Sequence, residues 1–235
     1  MLQIVILAGG LAQRLRPITE KIPKALIEVN GKPFIDWQLN LLARKGILEV
    51  VLCVSYKSEM IKEYVGDGSR YKIGIKYSED GIEPLGTGGA IKKALPLLNQ
   101  DFMVLYGDSY LDLDYSRAQN AYMECEMPAM MTVFRNMGKF DTGNVFLSNS
   151  KIEKYEKGTQ NLEFQHIDYG LNFFNKKIFE TDSFGDRFDL AYVCQDLAKN
   201  GKLAGFEVFN RFYEVGSLSG IEDLSNHLRK EHNVI

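Results

Sequence analysis

Leu7-Ala-Gly-Gly-Leu-Ala-Gln-Arg-Leu-Arg-Pro17, running on to Ile22-Pro-Lys24, follows directly from the apolar stretch Ile4-Val-Ile-Leu7 and decides how the rest of the chain is read. A short buried strand ending in Gly9-Gly10 lets the backbone turn sharply and approach a ligand with no Cβ in the way. Successive N–H groups can then face phosphate oxygens. Arg14 adds a permanently charged fork and Lys24 a compact, mobile charge. The segment is expected to be a phosphate cradle, but of neither well-known glycine type. A dinucleotide loop needs G-x-G-x-x-G opening a helix, and a P-loop needs G-x-x-x-x-G-K-[ST]. Here no further glycine follows Gly10, and Pro17 and Pro23 interrupt the long helix that a dinucleotide site requires.

Composition narrows the class. A chain of 235 residues suffices for one substantial core, so a single domain over 1–235 is expected. Charged residues at 25% and hydrophobic ones at 45% give the balance of a soluble globular protein. The net charge of −3 leaves no broad basic field, which argues against a nucleic-acid surface and assigns anion binding to a few placed Lys and Arg residues. No long apolar span occurs, and no basic n-region precedes the first apolar run. Neither a membrane helix nor a signal peptide is expected, which points to the cytoplasm. Cys53, Cys125 and Cys194 are too widely spaced for a CxxC site, and their odd number argues against a disulfide framework; buried small hydrophobes are expected.

Along the chain, Ala25–Val29 alternates as a strand would, Asn30-Gly31 marks a turn, and helical spacing predicts a helix over Phe34–Lys45 stopped by Gly46. Glu49–Val54 is a continuous apolar run suited to a strand covered on both faces. A helix near Glu59–Val65 and a strand at Ile73–Tyr77 follow, then Glu83-Pro-Leu-Gly-Thr-Gly-Gly89 leading into a helix over Ala90–Leu98. Such a glycine-rich helix start can offer free N–H groups to a ligand, or can simply be a turn. Phe102–Tyr106 reads as a buried strand ending in Gly107-Asp108, where a carboxylate could hold a hard cation against phosphates. Asp112 and Asp114 read as a turn residue and the N-cap of a helix over Tyr115–Glu126. This alternation predicts an open parallel sheet with its ligand at the carboxyl ends of the strands. Beyond Met130 the texture shifts to shorter strands, Met130–Phe134, Gly143–Leu147, Ile152–Glu156 and Gln165–Phe174, so the sheet is expected to become mixed. Asp189 is read as the cap of a helix reaching Asn200. A strand over Leu203–Phe209 and a final helix over Ser219–Lys230 complete the chain.

With Gly9, Gly10, Arg14, Pro17, Thr19, Pro23 and Lys24 in register, the cradle resembles the signature of the sugar-1-phosphate nucleotidyltransferases, G-G-x-G-T-R-x-x-P-L-T-x-x-x-P-K. Ala12 stands where that family usually has Gly, and Gln13 where it usually has Thr. The Glu83-Pro-Leu-Gly-Thr87 stretch resembles the family's base-reading loop, in the form nearest its short heptose and mannose 1-phosphate guanylyltransferases. The resemblance implies an α/β fold, a Rossmann-like open mixed, mostly parallel sheet flanked by helices. Its nucleotide half would span about 1–110 and its sugar half about 111–235. It also implies that Leu7, Ala8, Gly9, Gly10, Glu83, Leu85, Gly86 and Thr87 bind the nucleotide, and that Arg14 and Lys24 act on the reacting phosphates. Asp108, matching a G-D motif, and Glu214, standing where the family has Asp, would hold Mg²⁺. On the sugar side it implies Gly143, Asn144, the Glu156-Lys157 pair, and Asp168 in place of a usual Asn. His166 beside it is read as structural. No hexapeptide repeat marks a β-helix module.

The reaction so implied joins a nucleoside triphosphate to a sugar 1-phosphate and releases pyrophosphate, in a monomer or homodimer acting on neither nucleic acid nor membrane. The sugar stays open, as does guanine against uracil or cytosine. So do another phosphorylated acceptor and a catalytically silent nucleotide-sugar-binding subunit.

Overall fold

The computed structural model describes residues 1–232 apart from 11, 82, 141, 160, 162 and 182, and apart from the side chains of Gln13 and His232. In chain order the elements are β1 (Gln3–Leu7), α1 (Ile18–Lys21), the small hairpin β2 (Glu28–Val29) and β3 (Lys32–Pro33), α2 (Phe34–Arg44), β4 (Glu49–Val54), α3 (Ser58–Val65), β5 (Gly74–Glu79), α4 (Gly86–Ala94), β6 (Asp101–Tyr106), β7 (Ser109–Tyr110) and α5 (Tyr115–Glu124). Then come β8 (Ala129–Arg135), β9 (Val145–Ser148), β10 (Lys151–Tyr155), β11 (His166–Asn175), α6 (Leu190–Lys199), β12 (Leu203–Val208), β13 (Tyr213–Glu214) and α7 (Leu218–His232).

One nine-stranded sheet, ordered β5-β4-β1-β6-β11-β8-β12-β10-β9, runs through both halves of the chain. Strands β5, β4, β1 and β6 are mutually parallel, as the alternation of strands with crossover helices predicts. β11 enters antiparallel to β6, and the sheet is mixed from there outward. β1 shows why the apolar runs are continuous. Ile4 and Ile6 pack on the side of α2, α3 and α5, while Val5 faces α4 and α6. Burying such a side chain completely is worth about 1.5–3 kcal/mol, so a strand covered on both sides needs no polar alternation. A third cluster, with Val29, Phe34, Tyr110, Val215, Leu224 and Leu228, seats α7 against the β2–β3 hairpin. No helix among the described residues is long and apolar enough to cross a membrane.

Two segments depart from the sequence reading. Ala25–Val29 is not one strand: after Pro23 the chain makes a 3-10 turn over Lys24–Leu26, closed by Ile27 N–H donating to the Lys24 carbonyl at 3.1 Å. Only Glu28–Val29 then pairs, with Lys32–Pro33. The helix expected over Ala90–Leu98 begins four residues earlier, at Gly86, and stops at Ala94. Pro96 turns its end into a 3-10 turn over Leu95–Leu97.

Candidate active site

The cradle lies at the carboxyl ends of β1, β4 and β6. Ala8 N–H donates to Cys53 O at 2.8 Å and Gly107 N–H to Leu7 O at 3.1 Å, so the ladder continues past the strand ends and fixes both turns. A Cβ on Gly107 would run into the Leu7 carbonyl and lie 2.9 Å from Ala8 Cα, so no side chain fits there. Gly10 differs, since a Cβ there would meet nothing within 4 Å; its bare backbone faces open space. Together these turns border a cavity of about 400 Å³ that Leu7, Ala8, Gly9, Gly10, Lys24 and Asp108 help to line. Cys53 lines it too. Burial pushes its thiol up to about 12, which makes it an unreactive wall rather than a nucleophile. Leu11 and the Gln13 side chain lie outside the described residues. Arg14 sits exposed on the 3-10 turn Gln13–Leu15, at the rim of the cradle and not among the lining residues.

At the cavity mouth, Lys24 Nζ lies 2.6 Å from Asp108 Oδ2. The 3-10 turn delivers the lysine. The aspartate is held by its backbone, because the buried amide of Gln38 on α2 donates to Tyr106 O at 3.3 Å and Ser109 O at 2.9 Å, on either side of it. Glu214 arrives from the far end of the chain by a short antiparallel bridge, in which it pairs with Ser109 and Val215 N–H donates to Asp108 O at 2.9 Å. Its carboxylate accepts from Gly216 N–H and from the Ser217 hydroxyl. A Cβ on Gly216 would strike Glu214 Oε2 and stand 3.2 Å from Lys24 Nζ, so the Glu214 carboxylate and the ammonium both lie close to Gly216. Asp108 and Glu214, expected to share a divalent cation, thus adjoin along this backbone bridge, with Lys24 paired to Asp108. Among the described residues no group of three or more His, Cys, Asp or Glu is arranged to hold a metal. Two carboxylates nonetheless suit Mg²⁺, which keeps much of its octahedral shell as water and substrate phosphate.

The glycine-rich segment does less of the ligand work than its composition suggests. Gly88 and Gly89 N–H both donate to Phe188 O, at 3.0 and 3.2 Å, so protein already occupies two of the donors at the start of α4. A Cβ on Gly88 would collide with the Phe188 ring, and one on Gly86 would stand 2.5 Å from Phe188 O. These glycines permit the 186–189 segment to close over the helix, and Gly86 and Thr87 still reach the cavity lining. Glu83 and Leu85 do not. Glu83 is exposed and pairs with Arg187 at 3.1 Å. The acid that does line the cavity is Asp80, just past β5, whose Oδ2 accepts from Leu85 N–H at 3.0 Å. Burial raises its carboxyl above the usual range, against the pull of that hydrogen bond and of Lys93. Sequence reading missed Asp80, since a single acid after an edge strand carries no motif; its place at a strand's carboxyl end was the available signal.

On the side expected to take the sugar the chain assembles Asn144, Asp168 and Tyr106. Asn144 Oδ1 accepts from Asp168 N–H at 2.9 Å, and Glu156 N–H donates to Asn144 O at 2.9 Å. Asp168 accepts from Tyr106 OH at 3.2 Å and from Gly170 N–H at 3.0 Å, the latter inside a bulge where Gly170 takes φ +102. Tyr106 also lines the cavity beside the cradle, so the two halves touch through this pair. Burial pushes the Asp168 carboxyl up. Gly143 has no room for a side chain, because its Cβ would overlap the Phe164 carbonyl. Lys157 Nζ rests 2.9 Å from Asp189, which also caps α6 and accepts from Thr87, linking the base loop to the sugar side. Glu156 is exposed. Asp112 pairs with Lys45 at 2.6 Å, Asp114 caps α5, and His166 lies 3.4 Å from Glu207; none of the three faces the cavity.

The model of the nucleotidyl transferase family matches residues 3–231. The chain is 36% identical over 216 residues to a D-glycero-alpha-D-manno-heptose 1-phosphate guanylyltransferase of Campylobacter jejuni, covering 92% of this chain and 95% of that protein. It is 30% identical to an N-acetylmuramate alpha-1-phosphate uridylyltransferase of Neisseria meningitidis, covering 94% and 96%. Among solved structures, HddC from Yersinia pseudotuberculosis complexed with GMP-PN superposes with a TM-score of 0.81 at 27% identity, over 97% of this chain and 100% of that one.

Proposed function

Since the chain belongs to the nucleotidyl transferase family, we propose that it makes an NDP-sugar and pyrophosphate from a nucleoside triphosphate and a sugar 1-phosphate, and that GTP is its preferred donor. The observation that carries the reading is the Lys24 ammonium paired with Asp108, with Glu214 close by, at the mouth of a glycine-bordered cavity. The similarity to two whole guanylyl- and uridylyltransferases supports the reaction class.

In this reading the cradle backbone from Leu7 to Gly10 takes the triphosphate and Arg14 at the rim neutralises the departing pyrophosphate. Lys24 swings from Asp108 to bridge the α-phosphate and the incoming sugar phosphate. One sugar-phosphate oxygen forms the new bond to the α-phosphorus as the bond to the β-phosphate oxygen breaks in line. No general base is needed, because a phosphate monoester with a second pKa of about 6 is already mostly dianionic at neutral pH. Catalysis is then positioning and charge stabilisation. Asp108 and Glu214 would hold Mg²⁺, which when bound lowers the repulsion between the two phosphates. Asp80, rather than Glu83, accepts from guanine N1–H and N2–H₂; uracil offers one N–H flanked by two carbonyls and matches a carboxylate less well. Asn144, Lys157 and Asp168 take the acceptor. We place the reaction in the cytoplasm and the whole chain in one domain, since a single sheet spans both halves.

The test is a grid of GTP, UTP, CTP and ATP against heptose, mannose, glucose and N-acetylmuramate 1-phosphates, read by product mass. A GDP-sugar should dominate. NDP-sugar formation from UTP at equal or greater efficiency would remove the guanine preference, and no NDP-sugar from any pair would remove the reaction.

A further inference from the structure

Away from the reaction centre, the outer face of α2 and the turn over Ser69–Tyr71 enclose a hollow of about 490 Å³, lined among others by Lys32, Asp36, Trp37, Arg44, Arg70 and Lys72. We propose that this groove is a second binding site, for a small phosphate-bearing anion, and that α2 couples its occupancy to the catalytic pair. The binding claim is independent of the proposed reaction; the coupling claim rests on it.

Charge and preorganisation argue for the anion. Four cationic side chains face one hollow in a chain whose net charge is −3. The carboxylate among them, Asp36, already accepts from Tyr64 OH at 2.8 Å, from Arg70 Nη2 at 3.1 Å and from Tyr71 OH. Among the described residues no carboxylate pairs with Lys32, Arg44 or Lys72. Two of the cations are also held in place. The Arg70 guanidinium lies over the rings of Tyr64 at 4.3 Å and Tyr71 at 4.6 Å, and Lys32 Nζ lies 5.2 Å from the centre of the Trp37 ring. Side chains fixed before binding lose less rotamer freedom on binding, and a mix of guanidinium forks with ammonium groups suits phosphate oxygens.

The coupling argument follows the same helix to its other face. Trp37 Nε1–H donates to Val29 O at 2.8 Å and Phe34 N–H to Ile27 O at 2.8 Å, which tie α2 to the segment that begins at Lys24. Gln38, next to Trp37 on the same helix, holds the backbone on both sides of Asp108. A ligand that shifts α2 therefore moves the supports of both members of the Lys24–Asp108 pair. Such contiguity becomes coupling only when binding at one site changes binding at the other, which is measurable.

Trp37 is the only tryptophan, so its emission reports on the groove. The full chain is titrated with inorganic phosphate and with pyrophosphate, without divalent cation and at constant ionic strength. A saturable change is expected, weakened about tenfold or more, roughly 1.4 kcal/mol, in an Arg44→Ala/Lys72→Ala double variant. It should be restored in Arg44→Lys/Lys72→Arg and kept in Lys24→Ala. A change that sodium chloride reproduces, no saturation, or loss in Lys24→Ala with retention in the double variant would overturn the site. The coupling is read as the shift in GTP KM on adding inorganic phosphate. A shift in the wild type that vanishes in the double variant supports it, and saturable binding with an unmoved KM refutes it.

Discussion

Replacing Lys24 by Ala separates the catalytic from the structural worth of the ammonium. In the resting protein it lies 2.6 Å from Asp108, with side chains 16% and 37% exposed, so the pair is screened on its outer side. Its contribution to stability is then of order 1 kcal/mol, which for a chain of this size moves Tm by about 2–4 °C. In the transition state the same ammonium would bridge two phosphates whose charge is shifting, and losing one such preorganised donor costs about 10²–10³ in kcat, or 2.7–4 kcal/mol. Turnover should therefore collapse while the fold barely changes, and kcat should fall more than KM rises, because the bridge acts mainly in the transition state. The geometry adds a second signature. Since the ammonium neutralises Asp108, its removal should let Mg²⁺ bind the ligand-free protein more tightly. The assays are pyrophosphate release, a thermal melt and a calorimetric Mg²⁺ titration. A folded variant with near-normal turnover, or one whose Mg²⁺ affinity falls, would refute the role given to this lysine.

Other substitutions test other parts of the site. Asp80→Asn keeps the shape but loses the charged acceptor, and should cut the ratio of GTP to UTP kcat/KM by about 10-fold or more, the worth of a charge-assisted hydrogen bond; an unchanged ratio returns base reading to some other group. Glu214→Gln should raise the Mg²⁺ concentration for half-maximal turnover by about tenfold, with Tm changed by only a few degrees, and Glu214→Asp should do less. Normal turnover of the Gln variant at low Mg²⁺ removes Glu214 from the metal. Asp168 has a folded pKa raised by burial, so its ionised form subtracts stability above that pKa, and the subtraction fades as pH falls toward the unfolded value of about 3.9. Asp168→Asn should melt higher than wild type at pH 7, with the gap closing toward pH 4, and should raise KM for the acceptor. A gap that widens in acid contradicts this.

The cradle was legible because its chemistry fixes residue types at short range: a bare backbone at Gly9-Gly10, a Pro-Lys pair, and a G-D step at the end of an apolar run. The parallel half of the sheet was legible from its unbroken apolar strands. What failed did so for local reasons. Ala25–Val29 alternates like a strand, yet Pro23 and the turn at Asn30-Gly31 leave room for only two paired residues. At Gly88 and Gly89 the close approach that glycine signals is made by the carbonyl of Phe188, about a hundred residues away in the chain, while Gly86 and Thr87 line the cavity. Glu83 stood out for lying within a motif and Asp80 was missed, whereas the exposure of Glu83 and its ion pair to Arg187 were visible only in three dimensions.

Tyr106 and Asp168, which touch where the nucleotide and sugar halves meet, stand on β6 and β11, neighbouring strands of one sheet. Hydrogen-bonded strands keep a spacing of about 4.8 Å, and a sheet resists being stretched across its ladder. With donor and acceptor bound as proposed, their floors form a fixed jaw with no hinge between them. Any clamping during turnover has to come from the parts above, such as the cradle loop and the 186–189 segment. Acceptor specificity can also be rebuilt on the outer strands and loops without altering the gap across which the phosphates react.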